Sequence, residues 1–258
     1  MQKKTIVAGI ALVAVIAVLA VVAVGGLVAY NFILGETEAP SGPITAIPVV
    51  VNTSAPAPTG EAGPAAAEPT GTAAADPASS LIVFQISQEE SEARFLIYED
   101  LRGQPNTVLG ATNQVAGELA LDLSDLSKTQ VGVIQANART LVTDNDRRNG
   151  AIRRFILNSD QYEFLTFTPT AITGLSGAAQ PGQPFTFEVA GDLTIRNVTQ
   201  PAVFTVTAVG ESAARITGAA TTVIKRSDFG LTIPNVPNVA NVGNDVTLEF
   251  DFVAVAAG

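Results

Sequence analysis

The chain has 258 residues, 14 basic and 24 acidic side chains, a net charge of −10, and neither His nor Cys. That composition removes disulfides, thiolate chemistry, ordinary zinc sites and every His-dependent catalytic triad, leaving only carboxylate or lysine chemistry to an enzyme. A pI near 4.4 also argues against nucleic acid, whose binding needs a concentrated basic face to release counterions.

Residues 5–34 carry no charge, and residues 6–29 are almost wholly Ile, Val, Leu, Ala and Gly. Read as a helix, that run is about 36 Å long, enough to cross a hydrocarbon core of about 30 Å. It is too long for the apolar core of a cleaved signal peptide. Lys3 and Lys4 before it and Glu36 and Glu38 after it place the amino terminus in the cytoplasm. Residues 1–35 therefore predict a cytoplasmic tip and an uncleaved signal anchor, with everything after it extracytoplasmic, periplasmic or extracellular.

Residues 36–80 hold eight of the fifteen prolines and twelve alanines and no aromatic residue. Such a segment has too little apolar surface to offset the entropy of ordering, so it reads as a disordered linker. The short apolar stretch 44–51 is a candidate contact, although it reads more simply as spacer.

From Leu81 onward, strand signals recur at 81–87, 93–98, 114–123, 131–140, 162–172, 184–195, 201–209, 215–226 and 245–255. The clearest is Phe185-Thr-Phe-Glu-Val-Ala-Gly-Asp-Leu-Thr-Ile195, apolar or Gly at each odd position. Only a strand with one dry and one wet face needs that period. Residues 147–157 break the pattern: Ile152, Phe155 and Ile156 fall at helical spacing among arginines, predicting a short amphipathic helix. The Asp144-Asn-Asp146 run lacks calcium-loop spacing and reads as a turn with Asx hydrogen bonds. Residues 81–258 thus form an all-β domain, a sandwich or a closed barrel. Small inward residues such as Gly132, Ile134, Ala136 and Ala138, or Gly218, Ala220, Thr222 and Ile224, leave volume. Facing aromatics either plug it or leave it to a ligand.

The segment Gly191-Asp-Leu-Thr-Ile-Arg-Asn-Val-Thr-Gln-Pro201 closely resembles the G-D-L-T-I-x-G-V-T-K-P signature of YceI-like proteins, with Asn197 in place of the usual glycine. Arg139-Thr-Leu-Val-Thr-Asp144 and the helix after it are similar to the family's S-V-x-T turn and R-D-x-x-L helix, Asn149 standing where the motif has Asp. Tyr162-Glu-Phe-Leu-Thr-Phe167 resembles its Y-P-x-x-x-F strand, Lys225-Arg-Ser-Asp-Phe-Gly230 its R-x-D-F-G element, and Asp245-Val-Thr-Leu-Glu-Phe250 its closing strand. Of the family's opening Trp and His-Ser pair only Ser91 has a counterpart.

This resemblance, over residues 81–256, implies an eight-stranded antiparallel lipocalin-like barrel with a short helical insert, enclosing an apolar tunnel for polyisoprenoid or similar lipids. The ligand-lining residues expected are Ile134, Ala136, Leu165, Phe167, Phe185, Phe187, Val189, Leu193, Phe204, Ile224, Leu248 and Phe250, with Arg226 at the tunnel entrance or in an ion pair. The function expected is a membrane-tethered binding protein that sequesters or carries a long apolar lipid. No catalytic residue, metal or cofactor is expected, and nucleic acid is not a partner. Membrane contact runs through residues 6–34, and a homodimer is allowed. Two alternatives stand beside it: a structural or adhesion module with a packed, empty barrel, and an enzyme acting on a bound lipid through Asp228 or Tyr162.

Overall fold

The computed structural model describes residues 37–50 and 81–257. Within them the period-2 pattern becomes thirteen strands of one antiparallel sheet. These are β1 (Leu81–Ile86), β2 (Glu92–Leu101), β3 (Gln104–Thr112), β4 (Val115–Ala116), β5 (Glu118–Asp122), β6 (Gln130–Val131) and β7 (Ile134–Asn137). After a helix follow β8 (Phe164–Thr173), β9 (Pro184–Ile195), β10 (Val198–Ser212), β11 (Arg215–Lys225), β12 (Val239–Ala240) and β13 (Asp245–Ala256).

The long strands form a meander, β8 to β9 to β10 to β11 to β13. Residues 246–251 of β13 then pair with β2, and its last residues pair with β1. Strand β3 pairs with β2, and β5 with β1. Pro169 sits beside a register shift in β8, where a missing N–H is tolerated and the bend tightens the curl.

The expected eight-stranded closed barrel is corrected here. The ladder is an open, strongly curled path of ten strands that ends at β4 and β6, with β2, β3 and β12 branching from it through β13. The reason is that the strands are interrupted. A 3-10 turn at Gln88–Glu90 divides β1 from β2; residues 113–114 and Gly117 divide β3, β4 and β5; Gly132 and Val133 divide β6 from β7. Each break stops a ladder that one long strand would have continued. The curl is completed by the chain itself: Gly117 alone links β4, which pairs with β7, to β5, which pairs with β1 and β6.

Strand β3 was not foreseen, because Gln104-Pro-Asn-Thr-Val-Leu-Gly-Ala-Thr112 carries Pro, Asn and Gly where strands are usually β-branched. Pairing with β2 along its whole length overrides that weak propensity. The turn between them places Arg102 and Gly103 at φ of 55° and 77°, the double left-handed geometry that a twisted two-residue hairpin needs.

The predicted helix is present as α1 (Asp146–Ala151), continued by a π-helical turn at Ile152–Ile156. Asn145 caps it, its side chain accepting from the N–H of Arg148 at 3.1 Å, so the acidic run is a helix start. Ile152 is buried, but Phe155 is 41% exposed. The wider π turn rotates it off the apolar face assigned by a 3.6-residue period.

Two clusters close the sheet at opposite ends of the same strands. Near the helix, Ile152 and Leu157 pack with Leu193, Ile195, Ile224, Phe229 and Val246. At the far end, Phe84, Leu121 and Leu126 pack with Ile216 and Ala254.

Residues 37–50, expected as spacer, lie against the sheet as a strap. Ile44 is 4% exposed, and its carbonyl accepts from Gln88 Nε2 at 2.7 Å. The Ser41 N–H donates to Glu163 Oε1 at 2.8 Å, and the Val49 N–H donates to Glu118 Oε2 at 3.0 Å. Arg139 donates to Ala39 O and to Glu38 Oε2.

The expected anchor over residues 6–34 lies outside the described residues. Among those described, no helix is long and apolar enough to cross a membrane. The tethered, single-pass, extracytoplasmic topology therefore finds no support here and is not retained. The homodimer finds no support in this single chain and is not proposed.

Burial pulls the Glu163 carboxyl upward, but the Ser41 N–H, then Asn137 and the Arg139 charge, outweigh it and hold it below its ordinary 4.5. A depressed carboxylate contributes stability that is complete above the ordinary value and lost as pH falls through the lowered one. Limited proteolysis within residues 37–50 should stay constant from neutral pH down to the ordinary carboxylate range and rise below it. Cleavage that ignores pH would contradict this account of the strap.

Candidate functional site

Strand alternation decides which side chains meet inside the curl. In β9, Phe185, Phe187, Val189, Leu193 and Ile195 turn inward while Thr186, Glu188 and Asp192 face water. Residues of β1, β2, β3, β4, β5, β6, β7, β8, β10, β11 and β13 complete the wall. They enclose an apolar cavity of about 350 Å³.

Of the expected lining residues, Ile134, Ala136, Leu165, Phe167, Phe185, Phe187, Val189, Leu193, Phe204, Leu248 and Phe250 all line this cavity. Ile224 does not; it is buried in the cluster beside the helix. Arg226 does not either. Its Nε donates to Gly243 O at 2.9 Å and its Nη1 to Leu231 O at 3.0 Å. The guanidinium ties the end of β11 to the loops around it, and no bond to Asp228 is present.

The expected ligand-lining set did not include Ala93, Phe95, Val115, Leu119, Leu121, Ile216, Ala220 and Phe252, although alternation already turns Leu119, Leu121, Ala220 and Phe252 inward. Most were within reach of the same alternation, since Ala93 and Phe95, or Phe250 and Phe252, are two apart. Leu175, Ala179, Pro181 and Ala213, from the β8–β9 loop and the β10–β11 turn, were not. Irregular loops carry no period to read.

What keeps the volume open is the way the rings lie. A Cβ added at Gly110 would meet the Phe95 ring at 2.2 Å. One at Gly218 would meet Phe252 at 2.5 Å, and one at Gly191 would meet Phe167 at 2.7 Å. Phe95 and Gly110 are direct cross-strand partners, as are Phe252 and Gly218. Each ring is thus laid over a bare glycine on the neighbouring strand, flat against the wall. Phe167 also meets Phe204 edge to face at 4.9 Å, which fixes both rings.

Charge is kept out or neutralised. Arg94 and Glu249 reach the edge of the cavity but are bonded to each other, Arg94 Nε to Glu249 Oε2 at 3.3 Å. Hydrogen bonds donated to Asp251 first, and to Glu92 and Glu249, hold the Arg94 guanidinium even higher than its ordinary range. Asp228 is exposed, its Oδ1 accepting from Ser227 Oγ, and neither it nor Tyr162 lines the cavity. Among the described residues, no group of three or more His, Cys, Asp or Glu is placed to hold a metal.

The sheet thus curls around an apolar, ring-walled space whose charged lining residues, Arg94 and Glu249, are paired with each other. The chain belongs to the YceI-like domain family, whose model matches residues 84–254. Its fold is similar to a polyisoprenoid binding domain from Saccharophagus degradans, at 15% identity and a TM-score of 0.55, over 68% of this chain and 99% of that one. It is also similar to Burkholderia cenocepacia BcnA, at 19% identity and a TM-score of 0.51, over 66% of this chain and 99% of that one. No curated protein sequence matches the chain.

Two substitutions separate wall from scaffold. Gly110→Ala should tilt Phe95 into the cavity, costing about 1–3 kcal/mol of stability through overpacking and weakening uptake of a fluorescent polyene. Arg226→Ala should cost a similar amount, about 1–3 kcal/mol, by orphaning two carbonyls, yet leave polyene affinity unchanged. Thermal melts and fluorescence titration read both, and a loss of affinity in Arg226→Ala would return that residue to the ligand site.

Proposed function

We propose that this chain binds a long apolar lipid, polyisoprenoid in kind, inside the curled sheet, and holds it reversibly by sequestration. The observation that carries this reading is the cavity itself: an apolar wall of strand side chains whose phenylalanines lie flat over glycines and whose only charges are paired at its edge. The Saccharophagus degradans domain of similar fold, described as polyisoprenoid binding, supports the ligand class.

The energetics favour chain over head group. Burying a five-carbon isoprene unit is worth about 3–4 kcal/mol gross, at about 0.8 per methylene, so a few units outweigh the ordering and association costs. Contacts of this kind select length and girth and are indifferent to functional groups. Family and cavity together favour a binding protein over an enzyme.

The test is a ligand-retaining purification of the full-length protein, followed by organic extraction, native mass spectrometry and titration with cis-parinaric acid. Co-purified apolar lipid and saturable polyene binding are expected. Ala136→Trp, which fills the lumen from β7, should weaken polyene binding by about tenfold or more, 1.4 kcal/mol for each factor of ten, while the fold is kept. An extract without lipid, together with no polyene uptake, would identify a packed structural module instead.

A further inference from the structure

The wall of the curl is uneven. Strands β9 and β10 are joined through twelve consecutive residue pairs, from Val198↔Ile195 to Val209↔Pro184. Strands β4 and β7 share two pairs, and β5 and β6 another two. Between those short ladders lie Gly117 and the Gly132-Val133 break. This seam is where the sheet has least to hold it. Its inner side is the cavity wall itself: Val115, Leu119, Val131, Ile134 and Ala136 all line the lumen.

The strap of residues 37–50 lies across this seam and is fastened on both banks. On the β1 and β5 bank, Glu118 accepts from the Val49 N–H at 3.0 Å and from Gln85 Nε2 at 3.0 Å, while Gln88 Nε2 donates to Ile44 O at 2.7 Å. On the β7 and β8 bank, Glu163 accepts from the Ser41 N–H and Arg139 holds Ala39 O and Glu38. Over the break, a Cβ built on Gly132 would stand 3.3 Å from Val49 Cβ, so a bare glycine is what lets the strap come down. Its fastenings are chiefly backbone N–H groups on carboxylates and side chains on its carbonyls, which water replaces readily on release. The strap also lies outside the residues that match the family, 84–254, so it belongs to this chain beyond the shared domain.

We propose that residues 37–50 are a latch on a lateral opening at the β4–β7 and β5–β6 seam, through which a long apolar chain passes sideways into the lumen. The proposal rests on the lipid-binding reading above. With the strap docked, the seam is shut and a bound chain is retained. With the strap released, four residue pairs and two further backbone bonds, Gly132 N–H to Glu118 O at 2.8 Å and Asn137 N–H to Gln114 O at 2.9 Å, must part for the wall to open along the chain's length.

The protein has no native cysteine, so the pair Val49→Cys and Gly132→Cys gives one defined crosslink in the full-length chain. The 3.3 Å separation is close to the roughly 3.8 Å between Cβ atoms of a disulfide. Uptake and release of cis-parinaric acid are followed by stopped-flow fluorescence in the oxidised and reduced forms. Oxidation should slow both rates by about tenfold or more at nearly unchanged affinity, and reduction should restore them. Val49→Pro, which removes the N–H donated to Glu118, should speed both. Equal rates in the two redox forms, or wild-type rates in Val49→Pro, would overturn the latch. Absence of polyene binding in every form, wild type included, would instead be a failure of the lipid-binding reading.

Discussion

A sheet that curls on itself must fill its own interior with its own side chains, and the pairing of phenylalanine with glycine across strands governs how that is done here. Phe95 over Gly110 and Phe252 over Gly218 are direct neighbours in register, and Phe167 lies over Gly191. A ring opposite any larger residue is forced toward the axis, and rings from several strands then meet and seal the lumen. A ring opposite glycine lies down. The glycines cost strand propensity and conformational entropy. In return, the phenylalanines supply hydrophobic area without consuming the volume they surround.

The two ends of the curl are closed by different elements. Beside the helix, Ile152, Leu157, Phe229 and Leu231 pack into a continuous cluster with the strand ends, and Arg226 staples the adjoining loops by their carbonyls. At the other end the wall residues come from exposed loops, Leu175 to Pro181 and the β10–β11 turn. One end is thus packed by the helix and the other by loop residues, Leu175 and Ala179, that lie on the Phe84 cluster.

Buried carboxylates outside the lumen carry a second theme. Glu118 is 8% exposed and is served by Gln85 and the Val49 N–H, and Glu163 by Ser41, Asn137 and Arg139. A buried charge must find hydrogen bonds or give up its proton. Here part of that need is met by a segment from outside the domain. The strap therefore binds by satisfying groups that the sheet alone leaves short of donors, which explains why a stretch rich in proline and alanine lies down on the surface at all. Ile44, the one core residue it contributes, adds apolar burial to that polar fit.

Alternation by itself determined the inward faces, because a residue's side of a strand depends only on whether its position is odd or even. The β9 face from Phe185 to Ile195, the Leu248–Phe250 row and the helix before β8 were all legible for that reason, and the motifs around Gly191 and Asp228 identified the family. Four things were not legible. The ladder's breaks at Gly117 and Gly132 depend on partners far along the chain, and they split the runs 114–123 and 131–140 into shorter strands. Strand β3 exists because β2 pairs with it, against its own propensity. Arg226 shares the parity of the wall, but a 3-10 turn beginning at that residue takes it out of the strand. The docking of residues 37–50 rests on carboxylates at Glu118 and Glu163, distant in sequence, and no local composition announces it. Local period fixes which way a side chain points; only tertiary pairing decides what it meets there.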